Sequence, residues 1–143
     1  MQILNFSGIS FIDSRGELIA FNDFSLEKIK RMYQIDHSDT AIIRAWQGHR
    51  IENKWFYVIQ GAFTIAWVKL DSFESPSSSL KASSVNVQSS DRKILHIPKG
   101  YANGIKALEP NSKLLIFSDL TLEEAKNDNF KFDHKNWFDW IGK

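Results

Sequence analysis

Between Arg44 and Gly61 the chain reads RAWQGHRIENKWFYVIQG, with a histidine, two arginines, two glutamines, a lysine and several aromatic rings in eighteen positions. The chemistry available there is proton transfer. An imidazole has a reference pKa near 6.5 and can take up a proton at neutral pH. Arg44 and Lys54 offer fixed positive charge, the first as a planar fork suited to phosphate or carboxylate and the second as a point charge suited to a single oxygen. Gln47 and Tyr57 add hydrogen-bonding groups. The chain has no cysteine, so thiolate nucleophiles, disulfides and cysteine-based zinc sites are excluded together.

The other histidines read differently. His96 sits in an alternating run, LHIP, as a half-buried structural side chain. His37 and His134 stand beside acidic residues in polar segments and read as surface groups. Arg44 by itself could serve only as an ion-pair partner for Glu52 or Asp71.

The elements that must position these groups are short runs rich in β-branched and aromatic residues, at 9–12, 17–21, 30–35, 40–46, 55–60, 62–70, 84–88, 93–97 and 113–118, separated by turn residues. DSRG at 13–16 and PKG at 98–100 are turns with a mechanism, through a glycine free to take positive φ and a proline with fixed φ. Gln60-Gly61 is a candidate tight hairpin, with Phe56 and Val58 on one face and Tyr57 and Ile59 on the other. The serine-rich stretch 72–84 reads as a solvated loop. Helix is confined to one or two short pieces: SLEKIKR from Ser25, and TLEEAKND, where Thr121 and Glu124 have capping-box spacing. The rings of the tail from Phe132 to Trp140 are expected to cover the core or a dimer seam.

Length and charge bound the rest. A chain of 143 residues with 43% apolar and 24% charged residues is expected to form one folded domain, 1–143. A net charge of +1 gives no global field for nucleic acid or an anionic membrane. No stretch approaches the ~20 apolar residues of a membrane span, and the start has no secretory leader pattern, so a cytoplasmic location is expected.

An all-β chain with DSRGEL early and IPKG late resembles a cupin, a double-stranded β-helix or jelly roll. KRMYQID, IIRAWQGHR, IPKGYANG, LLIFSDLTLEE and the Trp-rich tail resemble the nucleotide-sugar branch of that fold: the dTDP-4-keto-6-deoxy-sugar 3,5-epimerases and the related 3,4-ketoisomerases. The likeness is greatest to the latter, in which the first segment reads RGxHxH. In that register Arg44 falls on the arginine, Gln47 on the first histidine and His49 on the second, while Lys54 takes a metal-ligand position of the general cupin motif and Asn103 the late histidine.

The resemblance implies proton abstraction beside a ketone. His49 would be the base, with Lys54, Tyr57 or Tyr101 serving the enolate oxygen and Arg44 and Arg31 holding the pyrophosphate. Gln47 and Asn103 would bind sugar hydroxyls. One imidazole among two amides and an ammonium is a poor donor set for a divalent ion, so no metal and no other cofactor is expected. The implied ligand is a nucleotide sugar for surface polysaccharide synthesis and the implied partner a second copy of the chain. The competing expectation is a sugar-binding module without turnover.

Overall fold

The computed structural model describes residues 3–141. Along the chain it forms β1 (Leu4–Ser7), β2 (Ile9–Asp13), β3 (Gly16–Ala20), β4 (Arg31–His37), β5 (Ile43–His49), β6 (Lys54–Gln60), β7 (Ala62–Lys69), β8 (Ser83–Gln88), β9 (Lys93–Ile97), β10 (Tyr101–Ala107), β11 (Ser112–Ser118), α1 (Leu122–Ala125) and β12 (Phe130–Lys131). Two antiparallel sheets, ordered β1-β9-β6-β11-β4 and β12-β5-β10-β7-β8, face each other as a jelly roll, and β2-β3 forms a separate hairpin. The all-β expectation holds. No helix among the described residues is long and apolar enough to cross a membrane.

Alternation sets what lies between the sheets. Phe56 and Val58 of β6, Leu114 and Ile116 of β11, and Phe63 and Ile65 of β7 are at most 3% exposed and form one buried cluster. Each contributes roughly 1.5–3 kcal/mol by leaving water. A second cluster, Trp46, Ala66, Val68, Leu70, Ala102 and Trp140, lies on the outer face of the second sheet. The tail covers it: Trp137 and Trp140 pack on Trp46 at 5.7 and 5.6 Å between ring centroids. Phe73 and Leu80 of the serine-rich segment also pack there, so that segment is anchored by its few apolar residues.

Four features differ from the sequence reading. Gln60-Gly61 is not a hairpin, because β6 and β7 belong to different sheets. Gly61, at φ +72°, makes the corner where a Cβ would overlap the Ser112 hydroxyl. The segment from Ser25 is not helical; Phe24 packs instead on Phe6, Trp55 and Phe117, and this tertiary contact outweighs a marginal local propensity. YANGIKA, unread as a strand, is β10, between β5 and β7. Its Gly104 admits the Trp140 ring, since a Cβ there would lie 2.8 Å from it. Finally, His37 is buried at 4% exposure, in phase with Tyr33 and Ile35 on β4.

The helix at 121 forms as expected. The Thr121 hydroxyl accepts from the Glu124 N–H at 3.2 Å, and the Glu124 carboxylate accepts from the Thr121 N–H at 2.9 Å.

Candidate active site

Two cavities, of about 340 and 230 Å³, share Tyr33, Gln47 and Lys54 as walls and so form two chambers of one hollow between the sheets. Arg44, Asn103, Phe56, Ile105 and Ile116 complete much of the first. The second adds Arg31, His49, Glu52 and the segment from Leu122 to Asn129.

His49 ends β5 and is 4% exposed. Its Nδ1 lies 2.7 Å from the backbone carbonyl of Asp128. A carbonyl can only accept, so the neutral ring carries its hydrogen on Nδ1 and leaves a lone pair on Nε2. That Nε2 is buried with no partner among the described residues. Burial first, and then the Lys54 ammonium, holds the imidazole below the usual histidine range, against the opposing pull of Glu52 and Asp128. The result is a neutral, oriented proton acceptor.

Its orientation is set by residues that no local pattern groups together. Glu52 Oε1 lies 3.2 Å from His49 Nδ1. Its other oxygen accepts from Arg31 at 2.9 Å and from the Ser118 hydroxyl. Asp128, seventy-six residues and more further along, accepts the backbone N–H groups of Arg50, Ile51 and Glu52 at 2.7, 3.0 and 2.8 Å, fixing the loop that follows His49.

Lys54 starts β6 in the opposite sheet, on the face of Phe56 and Val58, and is 4% exposed. No carboxylate among the described residues pairs with its ammonium. An uncompensated buried charge is costly unless something in the hollow meets it. Gln47 and Asn103 are cross-strand partners on β5 and β10, so two amides stand side by side in the first chamber.

Arg44 reaches that chamber through a β-bulge. Between the pairs Gln47–Asn103 and Arg44–Ile105, β5 advances three residues while β10 advances two. The extra residue turns Arg44 back to the inner side. Its Nε donates to His37 Nε2 at 2.8 Å, and it pairs with neither Glu52 nor Asp71. Burial, then Arg44, keeps His37 below its ordinary pKa and therefore able to accept.

Two sequence candidates are not brought to the hollow. Tyr57 points outward from β6 and packs edge-on against Phe21 at 5.0 Å. Tyr101 is in register with His49 but packs against the main core cluster and lines neither chamber. Arg31 does line the second chamber, with its charge committed to Glu52. Tyr33, whose only sequence signal is its phase with Ile35, lines both chambers. His96 is more buried than expected, stacked on Trp55 at 4.7 Å and paired with Asn53.

Oxygen and nitrogen atoms of His49, Glu52 and Asp128 lie within 4.8 Å of one another. They do not fit a metal ion. The Asp128 carboxylate is taken by three N–H donors, Glu52 by Arg31 and Ser118, and His49 Nδ1 by a carbonyl.

No family model matches the sequence, and no curated protein matches it in a search by sequence. Solved structures do match. An RmlC epimerase of Mycobacterium tuberculosis superposes with a TM-score of 0.77 at 17% identity, over 96% of this chain and 74% of that one. A dTDP-4-dehydrorhamnose 3,5-epimerase of Bacillus anthracis, solved with TDP and pyrophosphate bound, gives 0.77 at 17% over 96% and 84%. The 3,4-ketoisomerase QdtA of Thermoanaerobacterium thermosaccharolyticum, solved with TDP, gives 0.70 at 17% over 89% and 85%. With these neighbours and its two facing sheets, the chain has the RmlC-like cupin fold, the fold of nucleotide-sugar epimerases and ketoisomerases.

Proposed function

We propose that the protein is a nucleotide-sugar epimerase or ketoisomerase acting on a dTDP-4-keto-6-deoxyhexose-type substrate in the cytoplasm, for surface polysaccharide synthesis. The observation that carries this reading is the pairing, in one hollow, of a neutral imidazole whose Nε2 has no partner among the described residues and a lysine ammonium with no carboxylate partner among them. His49 takes the proton from the carbon next to the ketone. The electron pair moves onto the ketone oxygen, where Lys54 meets the charge as it develops. Arg44, whose charge no carboxylate among the described residues answers, holds the diphosphate, with Arg31, itself paired to Glu52, in support. Gln47 and Asn103 bind sugar hydroxyls, and no metal takes part in the steps assigned here.

Incubation with dTDP-4-keto-6-deoxyglucose in deuterated water is expected to place deuterium on the carbon next to the ketone. His49→Asn is expected to slow this a hundredfold or more, the usual size of a general-base effect. Absence of exchange across several nucleotide-linked ketosugars would refute the assignment.

A second reading is favoured by the amides at Gln47 and Asn103. They suit a sugar-binding module without turnover, which predicts that dTDP-sugar binds native protein and His49→Asn alike with no exchange in either. The reading also includes a homodimer. Phe11, Ile12 and Leu18 of the β2-β3 hairpin are 59–77% exposed, an apolar patch of the kind that marks an interface. Sedimentation at micromolar concentration is expected to give twice the chain mass, and Phe11→Glu with Ile12→Glu the monomer.

A further inference from the structure

Arg44 stands where an arginine is hard to hold still. It is solvent-exposed near the start of β5, and it lines the first chamber beside Gln34 and Asp36, exposed residues of the edge strand β4. A long side chain free to swing there must be ordered by any ligand it holds, and that ordering weakens binding. One bond restrains it: Nε donates to His37 Nε2 at 2.8 Å. Its two terminal amino groups make no hydrogen bond among the described residues.

The burial of His37 has no purpose except that contact. It ends β4 at 4% exposure, with its ring 5.8 Å from that of Phe63. A guanidinium only donates, so the imidazole is neutral and carries its hydrogen on Nδ1. That Nδ1 is buried with no partner among the described residues. An unpaired buried donor opposes folding. Leucine would fill the space without that cost, so packing alone gives no reason for an imidazole. Neighbouring polar groups give none either. The Asp39 carboxylate accepts the Ala41 N–H, Asp36 faces the other way and pairs with Lys113, and Ser112, in register on β11, bonds to Ala62 and Glu109.

We infer that His37 is a positioning residue for the diphosphate: it tethers Arg44 by Nε, so that the two terminal amino groups meet the anion end-on as a fixed fork. The inference rests on the proposed role of Arg44. With Nε engaged, side-on pairing through Nε and one terminal nitrogen is closed, and the end-on pair remains to span two oxygens. His37 lines neither chamber, so it acts through Arg44.

The test reads Kd for dTDP by calorimetry, and kcat and KM for deuterium exchange into dTDP-4-keto-6-deoxyglucose. His37→Leu removes the acceptor and keeps the bulk. Ordering one long side chain is worth about fivefold in affinity, so Kd and KM are expected to rise about fivefold with kcat within about twofold of native. His37→Asn, whose amide stops short of Arg44, is expected to repeat the loss. His37→Gln, whose amide oxygen can reach Arg44 Nε, is expected to bring Kd back to within about twofold of native. In an Arg44→Met background, His37→Leu is expected to change Kd no further, since the two residues act as one unit. Native-like Kd in both His37→Leu and His37→Asn, no recovery in His37→Gln, an undiminished loss in the Arg44→Met background, or a fall in kcat with KM unchanged overturns the role of His37 and leaves the proposed function standing. Failure of native protein to bind dTDP overturns the placement of the diphosphate on Arg44, and this inference with it, while deuterium exchange reports on His49 separately.

Discussion

Asp128→Ala isolates the brace behind the candidate base. The substitution removes the acceptor of three backbone N–H groups. That of Glu52 is fully buried and would be left without a partner, at about 1–3 kcal/mol; those of Arg50 and Ile51 have partial access to water and should cost about 0.5–1.5 kcal/mol each. The expected loss is about 4 kcal/mol, the middle of the range these terms span. Against the roughly 5–15 kcal/mol of a typical domain this leaves a folded protein, with Tm lowered by roughly 10 °C. The assay is urea denaturation followed by tryptophan fluorescence, with the isotope exchange above run in parallel. Exchange should fall together with stability, because the loop released is the one that carries Glu52 to His49. Lys113→Ala, which breaks a solvent-exposed pair with Asp36, serves as the control and should cost less than about 1 kcal/mol. A loss below about 1 kcal/mol in Asp128→Ala would refute the account of the loop.

Lys54→Met replaces a buried charge that has no carboxylate partner among the described residues with an apolar chain of similar volume; it should raise the unfolding free energy by about 1 kcal/mol or more while lowering exchange by about a hundredfold. His37, His49 and His96 are all held below the usual histidine range, burial being the largest cause for each. The unfolded chain therefore binds protons first as pH falls through about 6.5, so stability should decline below that point and recover as pH is raised through it. Denaturation midpoints between pH 5 and 8 test the sign, and a midpoint that rose on acidification would contradict it. In the same range the acid limb of the exchange rate should fall at a lower pH than that of an ordinary histidine. Gly61→Ala places a side chain at φ +72° against Ser112. It should cost at least about 2 kcal/mol by thermal melting, and a neutral result would show that the corner can shift.

Much of this arrangement was legible because strands of period two leave a regular trace. The parity of KWFYVIQ puts Lys54, Phe56 and Val58 on one face and Tyr57 on the other, which is how the structure has them. The same parity in RMYQIDH puts His37 on the buried face with Tyr33 and Ile35, although its acidic neighbours give the segment a surface composition. Arg44 defeats parity, because one extra residue in β5 reverses which side it faces. β10 leaves no such trace because Ala, Asn, Gly and Lys carry little strand preference, and its place is decided by what packs on it. Asp128 and Glu52 lie 76 positions apart. Only the return of the chain past the barrel mouth brings them together, and local pattern holds no sign of that.

His49 and Lys54 belong to different sheets, so the gap between them is fixed by the thickness of the apolar layer that holds those sheets apart. Substitutions at Val58, Phe63 or Leu114, which line neither chamber, would widen or narrow that gap by fractions of an ångström. Drift in the core of such a barrel is therefore also drift in its reactivity, and a lineage could retune the site without altering a single polar residue in it.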